Sequence, residues 1–558
     1  MVKTADLSQT IGKVLVWLLV ATSIAVTPWM TVDPINLIKL VSLTCGAFGI
    51  GALLLFNSKR YLASEHGPTL LLSALLLVQL TLVFVFSGVD VTFQFFGTMG
   101  RNTGLLCYVS LVLVLLGGLV ASVKPLYEKV IHSLVLVGAI SAIYGLIQYL
   151  GADPIGWANK YSPVIGFLGN PNFQSSLLGM GAIASLAILV NGSTQTLKRI
   201  FSLIAILISL FIAGVSNSQQ GLLVFAIGSV CLAYFKVISK KQLLISTSFI
   251  SAITFSGFLA ILGFLDKGPF AKYLYQASVT YRGDYWRAGW NMALDNPFFG
   301  VGLDSYGDNY RKFRTIEATL RRGPDVVSNA AHNVFIDFAA NGGFPLLAIY
   351  LGFLFLAARK IWKYTKAASR DLYFEGIIAV WIGYLAQSVI SINQIGLAVW
   401  GWALTGLIIG WKPSLELPNE TKRQPKTSIK NEGNSTLTPK NFLVLITGLV
   451  IGLAVSLPPL VSSSKEKSGM AASQLEKILS AERNWPRDAS RSNQIAVILV
   501  SNKLEKDAIR IAKSTVSQFP KNYDAWKVLS EIPSSTEADK LLAKSQMKML
   551  DPFNTNLK

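Results

Sequence analysis

Three polar runs stand out in an otherwise apolar chain: Arg282-Gly-Asp-Tyr-Trp286-Arg287, then Asp295-Asn-Pro-Phe-Phe-Gly-Val-Gly302, then Ala331-His332-Asn333. An imidazole titrates near neutral pH and can take a proton from a hydroxyl. A guanidinium offers a planar fork that fits phosphate oxygens. His332 is one of three histidines in the chain. It opens an amphipathic stretch, Val334 to Phe338, that ends at Asn341-Gly-Gly-Phe-Pro345. This pattern predicts a short helix with the histidine at its N-terminal end, facing the preceding loop. Two roles stay open for it at this point, a general base and a structural hydrogen-bonder. Arg282 and Arg287 fall on Tyr281–Leu294, whose apolar positions, Trp286 and Trp290 among them, have helical spacing. Arg282 is the favoured anion ligand because it stands where the loop returns towards the next apolar segment. Arg311, Lys312, Arg314, Arg321 and Arg322 read as a surface cluster that binds anionic headgroups.

Three further polar patches belong to the same group of loops. They are Gly100-Arg101-Asn-Thr-Gly104, Phe167-Leu-Gly-Asn170-Pro171-Asn172 and Ser216-Asn-Ser-Gln219-Gln220-Gly221. Asn333, Asn170, Gln219 and Gln220 supply amides for hydroxyl or phosphate oxygens. The run Gly300-Val-Gly302-Leu-Asp304 lacks the lysine–serine ending of a phosphate loop and follows no strand, so its glycines read as a tight turn after Asn296-Pro297. These loops hold no Asp-x-Asp, no His-x-x-x-His and no cysteine pair, so neither a metal nor a cofactor is expected.

The elements that must position these residues are hydrophobic. The chain of 558 residues is 52% hydrophobic and 14% charged, against roughly 25% charged in soluble proteins. Apolar runs long enough to cross a hydrocarbon core of roughly 30 Å recur near 11–30, 35–56, 69–86, 105–121, 130–150, 175–190, 200–215, 221–235, 243–265, 343–357, 375–393, 395–411 and 441–460. The expectation is an all-α polytopic membrane protein with about 12–13 transmembrane helices. The first run is flanked by Lys3 and Lys13 and lacks a cleavage pattern, so it reads as a retained helix. Cys45, Cys107 and Cys231 all lie in apolar spans, which implies no disulfide framework.

The formal charge of +20 suggests nucleic acid, but its distribution does not. Alternate short loops hold Lys59 and Arg60, Lys124 and Lys129, Lys198 and Arg199, Lys236, Lys240 and Lys241, then Arg359 through Arg370. The intervening loops hold almost none. This is the positive-inside bias, and it places the N-terminus in the cytoplasm and the 266–333 loop outside. That loop is basic although outside, and an anionic ligand would account for it.

Four parts are expected: a membrane domain over 1–411 with the site on its 266–333 loop, a cytoplasmic linker over 412–440, a last span over 441–460, and an outward tail over 461–558. Within the tail, Phe519-Pro-Lys-Asn-Tyr-Asp-Ala-Trp526 and Asp551-Pro-Phe-Asn554 resemble the starts of tetratricopeptide-like helical repeats. About two such copies are present, where about three are needed to bury a core. The tail therefore reads as a small helical module that docks on the membrane domain or offers a surface to an envelope protein partner, or equally as a plain helical tail with no partner role.

Arg282-x-x-x-Trp286, Asn296-Pro297 with Gly300-Val-Gly302, His332-Asn333 and Gly342-Gly343 together resemble the signature of the bacterial O-antigen ligase/polymerase (Wzy-type) superfamily. The resemblance spans about residues 95–411 and includes the Gly100–Gly104 and Asn170–Asn172 loops. It implies a GT-C-type fold and a metal-independent, inverting glycosyltransferase of the bacterial inner membrane. Such an enzyme moves a glycan from an undecaprenyl-pyrophosphate carrier to an acceptor hydroxyl on the outer face. The acceptor is a lipid, a polysaccharide or a protein. His332 would then assist the acceptor hydroxyl, and Arg282 would bind the donor pyrophosphate. One departure matters. Where the family carries a Ser-Arg-Gly-like arginine, this chain reads Ser218-Gln219-Gln220-Gly221, leaving Arg287 or Arg101 to replace the charge. Polymerase and ligase remain alternatives, as does a transporter or flippase of lipid-linked sugars.

Overall fold

The computed structural model describes residues 2–61, 66–157, 162–191, 195–238, 277–367, 369–413, 437–471 and 475–557. The predicted span 243–265, and the parts of the 266–333 loop and 412–440 linker that fall in 266–276 and 414–436, lie outside the described residues. Every regular element described is helical.

Nine described helices are long and apolar enough to cross a bilayer: Leu7–Ile24, Asn36–Phe56, Gly67–Phe86, Lys124–Tyr149, Pro171–Leu189, Thr196–Val215, Gln220–Ile238, Val334–Thr365 and Pro439–Met470. Two shorter apolar helices, Leu105–Val120 and Ile395–Gly410, join them, as does Leu372–Ser388. The chain is an all-α polytopic membrane protein. Helices dominate because hydrocarbon offers no partner to backbone N–H and C=O groups, and a helix satisfies them within itself.

Burial follows from who faces whom. Every residue of Ile395–Gly410 is buried, so this helix, apolar all round, forms the centre of the bundle. Thr196–Val215 sits at the rim. It turns Ser202, Ala205, Ile206, Ser209, Ile212 and Ala213 inward and leaves Leu197, Phe201, Leu207 and Phe211 exposed. Large apolar side chains outside and small ones inside suit a lipid-facing helix, where close packing rather than hydrophobicity holds neighbours.

The first helix ends at Ile24 rather than at 30 because of a residue fifteen positions downstream of it. The buried ammonium of Lys39 donates to the carbonyls of Thr22 at 3.1 Å, Ser23 at 2.9 Å and Ala25 at 3.0 Å. Those are last-turn carbonyls with no partner inside the helix.

The predicted interfacial helix and the span after it form one element, Val334–Thr365, broken at Gly343, where φ is 76°. The break is built jointly with the Asn296–Gly302 turn. Val301 N–H donates to Ala340 O and Phe344 N–H to Pro297 O, both at 2.8 Å. The Gln79 amide bridges Phe298 O at 2.6 Å and Gly342 O at 3.0 Å. A Cβ on Gly300 would stand 2.4 Å from Ala340 O, and one on Gly343 would stand 2.5 Å from Phe298 C. The glycines of both runs are therefore a backbone-to-backbone joint that fixes how Val334–Gly342 leaves the bundle.

The last long helix, Pro439–Ala471, continues past the predicted end at 460. It leads into five shorter helices, Leu475–Arg483, Ala489–Ser501, Glu505–Gln518, Tyr523–Glu531 and Glu537–Leu550. These enclose a second core around Leu499, Ala512, Trp526 and Leu529, separate from the core among the membrane helices.

Two expectations follow. Gly300→Ala should lower the melting temperature in detergent, because φ of 61° disfavours an L side chain and the neighbour is backbone that cannot swing away. An unchanged melting temperature would show that the joint is slack. Reporters fused at Lys363 and after Lys558 should report opposite sides of the membrane, and agreement between them would break the proposed alternation of the spans.

Candidate functional site

The loops that carry the singled-out polar residues meet at one end of the bundle. Asp33, Ile35 and Asn36 follow the first helix, and Gly100 and Arg101 follow the third long one. Gly169 and Asn170 precede Pro171–Leu189, Asn329 and His332 precede Val334–Thr365, and Asn393 and Gln394 precede Ile395–Gly410. Together they line a cavity of about 260 Å³. At the opposite end the lysine-bearing loops pair among themselves, Lys124 with Asp371 at 3.5 Å and Lys360 with Trp411 O at 3.0 Å.

Hydrogen bonds between loops fix the cavity wall. Asn36 donates from Nδ2 to Gly100 O at 2.6 Å, and Gln394 Nε2 reaches Asn36 Oδ1 at 3.3 Å. Arg101 donates to Asn329 O. Its Nε lies 3.3 Å from Asp304 Oδ1. Asp304, fully buried, also accepts from Thr98 N at 2.8 Å, Thr103 N at 3.2 Å and Thr103 Oγ1 at 2.8 Å. One carboxylate thus folds the Gly97–Gly104 loop around itself and holds its arginine. Burial works to lower the pKa of Arg101, but Asp304 and then Asp337 outweigh it and raise it.

His332 sits in the left-handed region, φ 53°, a cost of roughly 1–2 kcal/mol for a residue with a Cβ. Its neighbours hold it there. Asn333 caps the following helix, its Oδ1 accepting from Phe335 N at 3.0 Å and Ile336 N at 3.1 Å. Ala331 N donates to Asp337 Oδ1 at 2.8 Å. The amide of Asn333 is therefore occupied with the helix terminus, while the imidazole next to it borders the cavity. Tyr285 leans against the imidazole with ring centroids 5.5 Å apart. Tyr285 is in turn gripped by Arg322, whose Nη1 donates to its hydroxyl at 2.6 Å, and by Tyr306, which donates to its carbonyl at 2.6 Å.

Arg282, one helical turn before Tyr285 on Ala277–Asp295, stands close enough for its charge to act on the imidazole. Burial first, then Arg282 and Arg101, bring the His332 pKa down from 6.5 to about 4. Burial also lowers the pKa of Arg282, yet a guanidinium starts so high that it stays cationic. Among the described residues Arg282 has no carboxylate partner. A half-buried unpaired cation beside a neutral imidazole has the chemistry to hold an anion next to a proton acceptor.

The other residues singled out in the sequence lie as follows. Asn170 lines the cavity and caps Pro171–Leu189 by accepting from Asn172 N at 2.9 Å. Arg287 is exposed on the outer side of its helix, away from the cavity. Gln219 is exposed, and Gln220 is buried, with Ser176 Oγ 3.3 Å from its Oε1. Ser218 donates to Asn172 Oδ1 at 2.8 Å, so this run forms a joint with the Asn170–Asn172 loop. Asn36, Asn393, Gln394 and Asp304 were not anticipated. Asn36, Asn393 and Gln394 are ordinary polar residues at short connections and Asp304 lies within the long loop, and the one available clue was that a desolvated Arg101 needs a counter-ion. Among the described residues no cluster of His, Cys, Asp and Glu has metal-ligand geometry.

The basic cluster expected to meet headgroups divides in two. Arg311 and Arg314 are buried and pair with Asp551 of the tail, at 3.2 Å and 2.7 Å. A guanidinium that carries a buried carboxylate is not available to a membrane surface, so the headgroup reading is corrected for both. Arg321 pairs with Asp284, and Arg322 lies over the rings of Tyr281 and Tyr285 at 4.4 and 5.0 Å.

The electrostatics make a direct expectation. In histidine-labelled protein in nanodiscs, His332 should stay neutral down to about pH 4. Arg282→Gln removes a positive neighbour and should move its titration upward, towards 6.5. An ordinary midpoint in the wild type, or no shift in the variant, would mean that the two groups do not face each other.

No curated protein matches the chain. Residues 203–351 match the family described as O-antigen ligase, a segment that carries Arg282, the Asn296–Gly302 turn, Asp304 and His332. That match supports the likeness of this chain to the O-antigen ligase/polymerase (Wzy-type) superfamily of membrane enzymes.

Proposed function

We propose that the protein transfers a glycan from an undecaprenyl-pyrophosphate carrier to an acceptor hydroxyl at the outer face of the bacterial cytoplasmic membrane. The observation that carries this reading is the neutral imidazole of His332 at the rim of an amide-lined cavity, with two cations, Arg282 and Arg101, acting on it. Amides from Asn36, Asn170, Asn393 and Gln394 suit the hydroxyls of a sugar ring, since each can donate and accept.

In this reaction the acceptor oxygen attacks the anomeric carbon and gives its proton to His332. The bond from that carbon to the pyrophosphate oxygen breaks, and the lipid pyrophosphate leaves with the bonding electrons. Arg282 stabilises the charge that builds on the leaving group, and a preorganised cation in a water-poor site is worth far more there than in water. The low pKa of His332 fits this order of events. A bound pyrophosphate offsets the cations beside the imidazole and raises its basicity, so the base is strengthened by the donor it serves. Ligase and polymerase share this step and differ in what bears the acceptor hydroxyl.

Transfer from purified undecaprenyl-pyrophosphate glycan in nanodiscs tests the reading. His332→Asn keeps a residue tolerant of the left-handed backbone and should lose about 10²–10⁴-fold in rate, the usual worth of a general base. Arg282→Lys keeps the charge but loses the fork and should also be severely impaired. Chelators should leave the wild type unaffected. The acidic limb of kcat, which reports the donor complex, should lie at higher pH than that of kcat/KM, which reports the free enzyme. Near-normal turnover by His332→Asn would reject the base, and inactivation by chelators would reject metal-free chemistry.

A further inference from the structure

The geometry points to Asp551, in the tail, as a positioning residue for the site: it pins the two arginines that hold the strand of chain leading into His332. This rests on the function proposed above. Asp551 is fully buried and accepts from Arg314 Nη2 with both oxygens, at 2.7 and 2.8 Å, and from Arg311 Nη1 at 3.2 Å. Asn554 Nδ2, at 3.1 Å, fills a further lone pair on the same carboxylate. The same guanidiniums reach the other way. Arg311 Nη1 donates to Pro324 O at 2.8 Å. Arg314 Nη1 donates to Pro324 O at 3.0 Å and to Val326 O at 3.2 Å. Only Val327 and Ser328 separate Val326 from Asn329, whose own carbonyl takes the Arg101 bond, and His332 follows in its strained turn.

The rest of the contact strengthens the grip. Arg311 lies over the Tyr523 ring at 4.1 Å, and Asn522 Nδ2 donates to Asp308 Oδ1 at 3.0 Å. A hydrogen bond between a guanidinium and a carboxylate is about twice as strong as a neutral one. Removing the Asp551 carboxylate leaves the buried Arg314 without an anionic partner and Arg311 with only the exposed Asp524, at 4.0 Å, which is far costlier than losing an exposed ion pair. The arginines then swing towards water and release Pro324 and Val326. The segment up to His332 loosens, while the cavity walls from Asn36, Asn170 and Gln394 stay in place. Donor binding survives and the chemical step fails.

Asp551→Asn in the full-length chain tests this. A shift of about an ångström in a catalytic group costs up to ~10²-fold, so kcat should fall by about 10–100-fold with the donor KM little changed. The acidic limb of kcat/KM should move up from about 4 towards 6.5 as His332 becomes hydrated and drifts from Arg282 and Arg101. A fall in stability alone would not move that limb. Should Asp551→Asn accumulate poorly, Arg314→Lys keeps the charge, loses the two-pronged grip and is read in the same way. Wild-type kcat in a folded variant, or a lower kcat with an unmoved limb, overturns the proposal. His332→Asn in the same assay separates the two failures. If it is inactive while Asp551→Asn is normal, only the positioning role falls. If it turns over normally, the site reading falls and the positioning role falls with it.

Discussion

The pairing of Arg101 with Asp304 is the constraint on which the site depends. Both side chains are cut off from water, and a desolvated charge is tolerated only when paired and hydrogen-bonded. Asp304 meets the condition by collecting Thr98, Thr103 and Arg101 from a loop some two hundred residues earlier in the chain. Once that loop is closed, Gly100 O is where Asn36 needs it, and Arg101 reaches Asn329 O. Three stretches of chain are thereby tied to one carboxylate, and His332 inherits its place from them. The glycine joint at Gly300 and Gly343 does the complementary work from below, because it sets the direction in which the Val334–Gly342 helix presents its N-terminus.

The cavity carries an asymmetry of charge. Asp304 occupies Arg101, while Arg282 has no carboxylate among the described residues. Burial first, then the two cations, keeps the imidazole neutral. On the function proposed above, a bound anion would offset the charge of Arg282 and strengthen the base beside it.

Much of this was legible in the residues. Every predicted span that falls on described residues overlaps a helix, because a hydrocarbon core demands long apolar runs whatever the tertiary fold. The alternation of lysine placed the chemistry-bearing loops on one face, and the break at Asn341–Pro345 was visible in its glycines and proline. What escaped was set by contacts far apart in sequence. The first helix stops at Ile24 because Lys39 folds back on its carbonyls. Arg311 and Arg314 looked like a surface cluster because the carboxylate that buries them, Asp551, lies more than two hundred residues away in the sequence. Asn36, Asn393 and Gln394 reached the cavity from loops too short and too ordinary to carry a signal.

The distance along the chain between Arg311 and Asp551 has a consequence in time. The two are 240 residues apart, and Leu372–Ser388, Ile395–Gly410 and Pro439–Ala471 lie between them. At about 5–20 residues per second, a ribosome completes Arg311 on the order of ten seconds or more before it reaches Asp551. Through that interval the arginines have only water and headgroups for company, and Pro324 and Val326 have no settled donor. A nascent chain with every earlier membrane helix in place therefore still holds an unfinished pocket. Maturation waits for the tail to be made, to fold around its own small core, and to close over the loop that was made ahead of it.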